Sequence, residues 1–397
     1  MKILIAPDKF KDALSAADVG ETIRTALAEM HGRKVETDLC PLTDGGEGFA
    51  EILTRSCGGR METVPTRNAR GCAIRAPVGF ARWGRVPQSA RALLGLGDFD
   101  ADAEIALVGM ASASGLEQLS AEQRAPWLAT TCGTGQLIAH ARRQGARAVL
   151  LGIGGSATHD LGVGALQAMG CSFFDEGGRR VDSVHPGRWV AVVRAAFPTN
   201  DWPPIRIACD VINPLLGERG AARVYSVQKG LGPEEIPALE AATERMARLL
   251  CAQANTSFET TAAPSMGAAG GMAFGLATVF RAGIVEGAAL VREWLSLEAR
   301  IDAADLVITG EGRFDESSLE GKGPGSVLRL AAAHGRPVHF FAGAASIAPS
   351  GGVRLHLITP AGQPLVEALS HARSNLREAV RRALGDVLKP DGACHAN

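Results

Sequence analysis

Short apolar runs alternate along this chain with longer stretches of helical periodicity, and each run breaks off in a turn carrying Gly, Asp, Pro or Ser. A run too short for a buried helix and flanked by helical patterns reads as a strand of a parallel sheet, covered by helices on its faces. Such runs fall at residues 2–6, 35–40, 105–108, 148–153, 205–209, 306–309, 338–342 and 355–358. Between the first two, Ser15 is placed to cap a helix reaching about residue 30, with Asp18 at the capping-box spacing. Ligands of such sheets bind beyond the carboxyl ends of the strands, so the turns are expected to face one crevice.

The expected fold class is α/β, with two α/β domains. A discontinuous flavodoxin/Rossmann-like parallel-sheet domain takes residues 1–76 plus 285–397, and a second α/β domain, 77–284, is inserted into it. Pro77 opens an irregular stretch rich in Arg, Gly and Pro, and the strand–turn–helix rhythm resumes at Leu306. Residues 363–388 read as a closing helix.

Composition removes several classes of function. Aromatic residues make up 5% of the chain, with Tyr225 the single tyrosine, so platforms for stacking nucleic-acid bases are not expected. A net charge of -1 gives no electrostatic pull toward nucleic acid or an anionic membrane. No run approaches 18 uncharged apolar residues, and the eight cysteines lack a Cys-x-x-Cys pair. A cytoplasmic enzyme with reduced, mostly buried thiols is the expectation, and a homodimer is compatible with it.

What stands out instead is glycine, with 48 in 397 residues against a usual share of about 7%. Five glycine-rich turns carry charged neighbours: Asp44-Gly45-Gly46-Glu47-Gly48, Gly152-Ile153-Gly154-Gly155-Ser156, Gly267-Ala268-Ala269-Gly270-Gly271, Gly310-Glu311-Gly312-Arg313 and Gly321-Lys322-Gly323. Glycine lets backbone amides come close to an anion, which suits a phosphate-handling cleft. The established nucleotide fingerprints fail, however. Position 316 is Glu and position 323 is Gly where a P-loop needs Gly and Ser or Thr, and Ala157 stands where a dinucleotide fold has its third glycine. No metal-binding motif gathers the nine histidines.

Several motifs in one order nevertheless resemble a known family. They are Ala6-Pro7-Asp8-Lys9-Phe10-Lys11, Pro41-Leu42-Thr43-Asp44-Gly45-Gly46-Glu47-Gly48, Gly154-Gly155-Ser156-Ala157-Thr158, Ala208-Cys209-Asp210-Val211-Ile212-Asn213-Pro214-Leu215, Gln228-Lys229-Gly230, and Thr309-Gly310-Glu311-Gly312-Arg313-Phe314-Asp315 with Gly321-Lys322. Together they resemble the bacterial class I glycerate kinases, from the N-terminus to about Gly343. The resemblance implies transfer of the ATP γ-phosphoryl group to D-glycerate with Mg²⁺, more often giving 2-phosphoglycerate than 3-phosphoglycerate, in a cleft between two α/β domains. The chain departs from that family at Lys9, usually Ser, at His159, usually Asn, at Leu161, usually Gly, and at Gly109, usually acidic.

Phosphoryl transfer to an alcohol needs neutralised phosphates, a divalent cation and a carboxylate on the attacking hydroxyl. Asp210, at a strand end, is the expected base or hydroxyl-orienting group, against the alternative of a turn-capping Asp. Asp315 is its rival, with an N-cap role equally open, and Lys322 completes the expected catalytic set. Lys11, Lys229, Arg313 and Lys322 are candidates to receive the anion. Asp44 and Glu47 could hold Mg²⁺, or Glu47 could simply open a helix. Gly154, Gly155, Ser156 and Thr158 form the expected anion nest before a helix starting near Asp160, the alternative being a tight strand–helix turn. Asp8, Asn213 and Glu311 join the substrate and phosphate set through the resemblance. Residues 267–271 are either a second such loop or a site of close helix packing, and His159 is expected at a polar rim. Two other functions stay open: a nicotinamide-dependent hydroxy-acid oxidoreductase, resting on the Gly152 turn alone, and a non-catalytic protein that binds a small acid.

Overall fold

The computed structural model describes residues 1–30, 35–199, 201–319, 323–349, 351–385 and 387. Its strands, in chain order, are β1 (Lys2–Ile5), β2 (Glu36–Leu39), β3 (Arg60–Arg67), β4 (Ala73–Arg82), β5 (Glu104–Gly109), β6 (Val149–Gly152), β7 (Ser172–Phe174), β8 (Arg194–Ala196), β9 (Ile205–Ala208), β10 (Gly283–Val285), β11 (Leu306–Phe314), β12 (Val338–Ala345) and β13 (Val353–Leu357). The chain divides into two compact units, residues 1–44 with 291–397, and residues 45–290.

The first unit holds a five-stranded parallel sheet in the order β13-β12-β11-β1-β2. β1 reads Lys-Ile-Leu-Ile with its three apolar residues fully buried, as expected of a strand covered on both faces. Ile3, Ile5 and Ile308 pack with Val19 and Ile23 of one covering helix and with Leu376 and Val380 of another. The first of these helices, Ala16–Ala28, starts where Ser15 predicts. Ser15 Oγ accepts from Asp18 N–H at 3.1 Å and donates to Asp18 Oδ2 at 2.6 Å. The closing helix spans Ala372–Leu384, preceded by a short one, Leu365–Ser370.

The second unit holds a six-stranded sheet in the order β10-β9-β6-β5-β4-β3, with β7 and β8 forming a separate antiparallel pair. β10, β9, β6 and β5 run parallel, while β5–β4 and β4–β3 are antiparallel. Its core draws on Phe80, Val108, Leu151, Ile207 and Phe274, with Trp189 buried among them.

The units divide earlier in the chain than the expected break at Pro77. β3 and β4 form one long hairpin registered from Arg60↔Phe80 to Arg67↔Ala73, and residues 45–290 together make up the unit of the six-stranded sheet. Pro77 sits inside β4 rather than at a domain edge. It lies one residue beyond the end of the β4–β5 ladder, where a missing N–H is tolerated. At the far end the division falls at Val291, just past β10, close to the expected 285.

Among the described residues no helix is long and apolar enough to cross a membrane. The described cysteines are free, and Cys40, Cys57, Cys171, Cys209 and Cys251 are buried.

Candidate active site

In the first unit three carboxylates gather where adjacent parallel strands end. Asp8 follows β1, Asp44 lies on the turn after β2, and Glu311 sits on β11. Asp8 N–H donates to Gly310 carbonyl at 2.8 Å, which ties the β1 turn to β11. Burial raises the Asp8 carboxyl to about 7, with Asp44 and then Glu311 adding like-charge repulsion, although the Lys9 N–H on its Oδ1 (2.7 Å) works the other way. Glu311 is also raised, chiefly by burial, and its Oε1 is a buried atom without a hydrogen-bond partner among the described residues. Asp315 directly precedes the short 3₁₀ turn Glu316–Leu319. Its backbone N–H donates to Ser318 Oγ and its carbonyl accepts from Ser318 N–H, which ties the turn through the backbone of Asp315. Arg313 and Lys11 are exposed, and Arg313 Nε stands 3.8 Å from Asp315 Oδ2. Lys322 and Gly321 lie outside the described residues.

In the second unit the carboxyl ends of β5, β6 and β9 lie side by side. The turn after β6 is where the sequence places its anion nest, and the structure divides its members. Gly154 N–H is spent on Gly45 carbonyl at 3.0 Å, and a Cβ at Gly154 would fall 2.8 Å from the backbone of Gly46. Gly154 is therefore glycine for close packing, the tight-turn alternative, and is not a free donor. Gly155, Ser156 and Thr158 N–H groups have no partner among the described residues, and Gly155 is exposed. The helix expected near Asp160 begins at Val163, after Leu161 and Gly162 in left-handed conformations (φ 53° and 70°). Leu161 thus takes a backbone state that favours glycine, at a position where the resembled family has one.

Beneath this turn sits a buried polar group that the sequence did not anticipate. Lys229, expected to reach an anion directly, is 2% exposed. Its Nζ donates to Ser156 Oγ at 2.9 Å and to Thr158 carbonyl at 2.7 Å. Burial lowers its ammonium to about 7, while Asp160 pulls the other way. His159 is fully buried rather than on a rim, with Nε2 2.9 Å from Thr243 Oγ1. Thr243 Oγ1 gives its proton to Leu239 carbonyl, so His159 Nε2 carries the hydrogen, and among the described residues Nδ1 is left without a partner. Burial, then the Lys229 charge, takes the imidazole down to about 3, so His159 stays neutral and cannot balance phosphate charge. Asp160 organises the loop: Thr131 N–H and Oγ1 and Gly164 N–H donate to its Oδ2, and Gly162 N–H to its Oδ1. Burial raises its carboxyl and these four donors draw it back toward the anion. A lone Asp in a glycine loop gives no sequence signal of that role.

Asp210 lies half-buried in the turn after β9, with Oδ1 accepting from Ala288 N–H at 2.9 Å at the start of the helix Gly287–Trp294. Its capping alternative is thus real, and it fixes the orientation of the carboxylate. Asn213 is engaged in its own loop, donating to Arg219 carbonyl and accepting from Tyr225 OH. Glu47 directly precedes Gly48, the left-handed N-cap of the helix Phe49–Ser56, in line with its helix-opening alternative. Residues 269–271 take three successive left-handed conformations inside the helix Ala268–Phe280, and a Cβ at Gly270 would strike Thr158 carbonyl. Gly270 carbonyl accepts from Leu161 N–H at 3.0 Å, so this loop is close packing against the nest loop. Among the described residues no three His, Cys, Asp or Glu side chains are grouped to hold a metal by themselves.

Comparison with known proteins puts this arrangement in context. The family model described as "Glycerate kinase family" matches residues 3–388. The chain is 33% identical over 392 residues to glycerate kinase of Bacillus subtilis (strain 168), covering 96% of each chain. It is 34% identical over 350 residues to glycerate 2-kinase of Escherichia coli (strain K12), covering 86% of this chain and 85% of the other. A crystal structure assigned to glycerate kinase 2 of Salmonella typhimurium LT2 superposes with a TM-score of 0.73 at 33% identity, covering 98% of both chains.

Proposed function

The chain belongs to the glycerate kinase family, and from that premise we propose that it transfers the γ-phosphoryl group of ATP to D-glycerate, giving 2-phosphoglycerate. The observation that carries this reading is the extent of the family match, residues 3–388, which takes in both carboxylate and amide clusters. The oxidoreductase alternative rested on the turn after β6, where Gly154 N–H is taken by Gly45 carbonyl instead of facing a pyrophosphate.

Asp210 is assigned to the substrate hydroxyl. With Oδ1 fixed by Ala288 N–H, the carboxylate is pre-oriented to accept the hydroxyl proton as the oxygen attacks phosphorus. Asp315, whose backbone ties the turn beside Arg313, is the second choice. The Gly155, Ser156 and Thr158 amides are assigned to an oxyanion of substrate or nucleotide, with Asn213 shaping the loop below Asp210. Asp8, part protonated near neutrality, can donate to an anion instead of repelling it. Lys11, Arg313 and Lys322 are assigned to phosphate charge.

Mg²⁺ is a hard ion usually held by one or two carboxylates together with substrate phosphates. The Asp44-Gly45-Gly46-Glu47 turn supplies two carboxylates, oxygen-only donors that suit such a hard ion without a three-ligand protein cluster. Asp44 and Glu47 are the residues proposed to hold it, and when bound it would neutralise phosphate charge. ADP release from MgATP, measured across a panel of short hydroxy acids, tests the reading. Turnover should be greatest with D-glycerate, and turnover with another acid but not with glycerate would remove the substrate assignment.

A further inference from the structure

We propose that the Ser156 hydroxyl is a donor of an oxyanion site shared with the Gly155, Ser156 and Thr158 amides, and that the buried Lys229 positions this donor and takes up a proton when the anion binds. This rests on the kinase reading only for the identity of the anion, a substrate carboxylate or a nucleotide phosphate.

A charged ammonium has three N–H donors and no lone pair. When Lys229 is charged, the Nζ–Ser156 Oγ contact of 2.9 Å must run from Nζ to Oγ. The hydroxyl proton then points away from Lys229, and among the described residues it has no protein acceptor. It is free for a ligand oxygen, beside three N–H groups that also lack partners. Thr158 Oγ1, fully buried and without a partner among the described residues, is a further polar atom of this loop. When Lys229 is neutral, Nζ gains a lone pair and the Ser156 hydroxyl can turn inward to it, closing the donor to the ligand.

The groups that act on Lys229 set the sign. Asp160 favours its charge, His159 is neutral, and burial lowers the ammonium to about 7. An anion above the nest favours the charged form, so binding above pH 7 draws a proton from solvent. Affinity should fall up to tenfold per pH unit above that point. Lys229 is accordingly a positioning residue, and its effect is read through Ser156.

Isothermal titration at pH 8 in two buffers of different ionisation enthalpy tests this on the full chain. One arm uses D-glycerate and the other a non-hydrolysable ATP analogue with Mg²⁺, which separates the two sources of the anion. We expect uptake of up to one proton in one arm, abolished in Lys229→Met. Ser156→Ala, which leaves the lysine in place, should weaken the same ligand about tenfold and raise its KM more than it lowers kcat. Lys229→Arg, always charged, should bind without proton uptake and with a flatter pH profile. Proton uptake absent from both arms, or Ser156→Ala binding both ligands as the wild type does, would overturn the inference. Turnover of glycerate without proton uptake sinks this inference alone, whereas proton-linked binding without turnover sinks the kinase reading alone.

Discussion

Burying an ammonium or an imidazole costs free energy unless each polar atom finds a partner or gives up its charge. Lys229 and His159 follow the two courses, one keeping donors on Ser156 and Thr158, the other staying neutral. The His159 case has a definite pH signature. Its folded value of about 3 lies below the roughly 6.5 of an unfolded chain, so the unfolded state binds the extra proton. Stability should therefore fall as pH drops from about 6.5 toward 3, by at most about 1.4 kcal/mol per pH unit. Denaturant titrations of wild type and His159→Gln at several pH values isolate this term, and equal slopes for the two proteins would contradict it. At Asp210 the capping and chemical roles can be separated, because Asn keeps an Oδ1 for Ala288 N–H while losing the charge. Asp210→Asn should lower kcat by about 100-fold or more with the melting temperature nearly unchanged. Wild-type turnover in this variant would refute the assignment. Neither Lys229 nor His159 was legible beforehand, since a Lys or His in a glycine-rich chain defaults to the surface and only the fold encloses it.

The elements divide into those the sequence exposes and those it hides. β1, β5 and β6 hold apolar runs ended by turn residues, and Ser15 marks its helix through a local hydrogen bond. The β3–β4 hairpin is hidden in the sequence because Pro65, Pro77 and scattered arginines obscure its alternation, and because its partner strands are fixed by tertiary pairing. β7, β8 and β10, three residues each, are too short to carry a pattern. Two changes test the local arguments. Ser15→Ala removes the acceptor for Asp18 N–H and should cost about 1 kcal/mol, read from chemical unfolding of the first unit. Gly154→Ala forces a methyl against the Gly46 backbone and should cost about 1–3 kcal/mol, with a loss of substrate affinity that a merely distant packing change would not bring. A fully stable Gly154→Ala protein would show that the turn after β6 can move.

For the whole molecule, the family match runs through both α/β units, and each carries polar chemistry at its strand ends: acids in the first, and in the second amides without partners among the described residues, beside a buried lysine. The order of motifs made the family legible, while the roles within each motif needed the fold. Phosphorus NMR of the protein incubated with MgATP and D-glycerate tests the account most directly. It predicts a new phosphate ester split into a doublet by the single proton on C2, growing as ADP forms. A triplet would place the phosphate on C3 and correct the product, and the absence of any ester from glycerate would contradict the account.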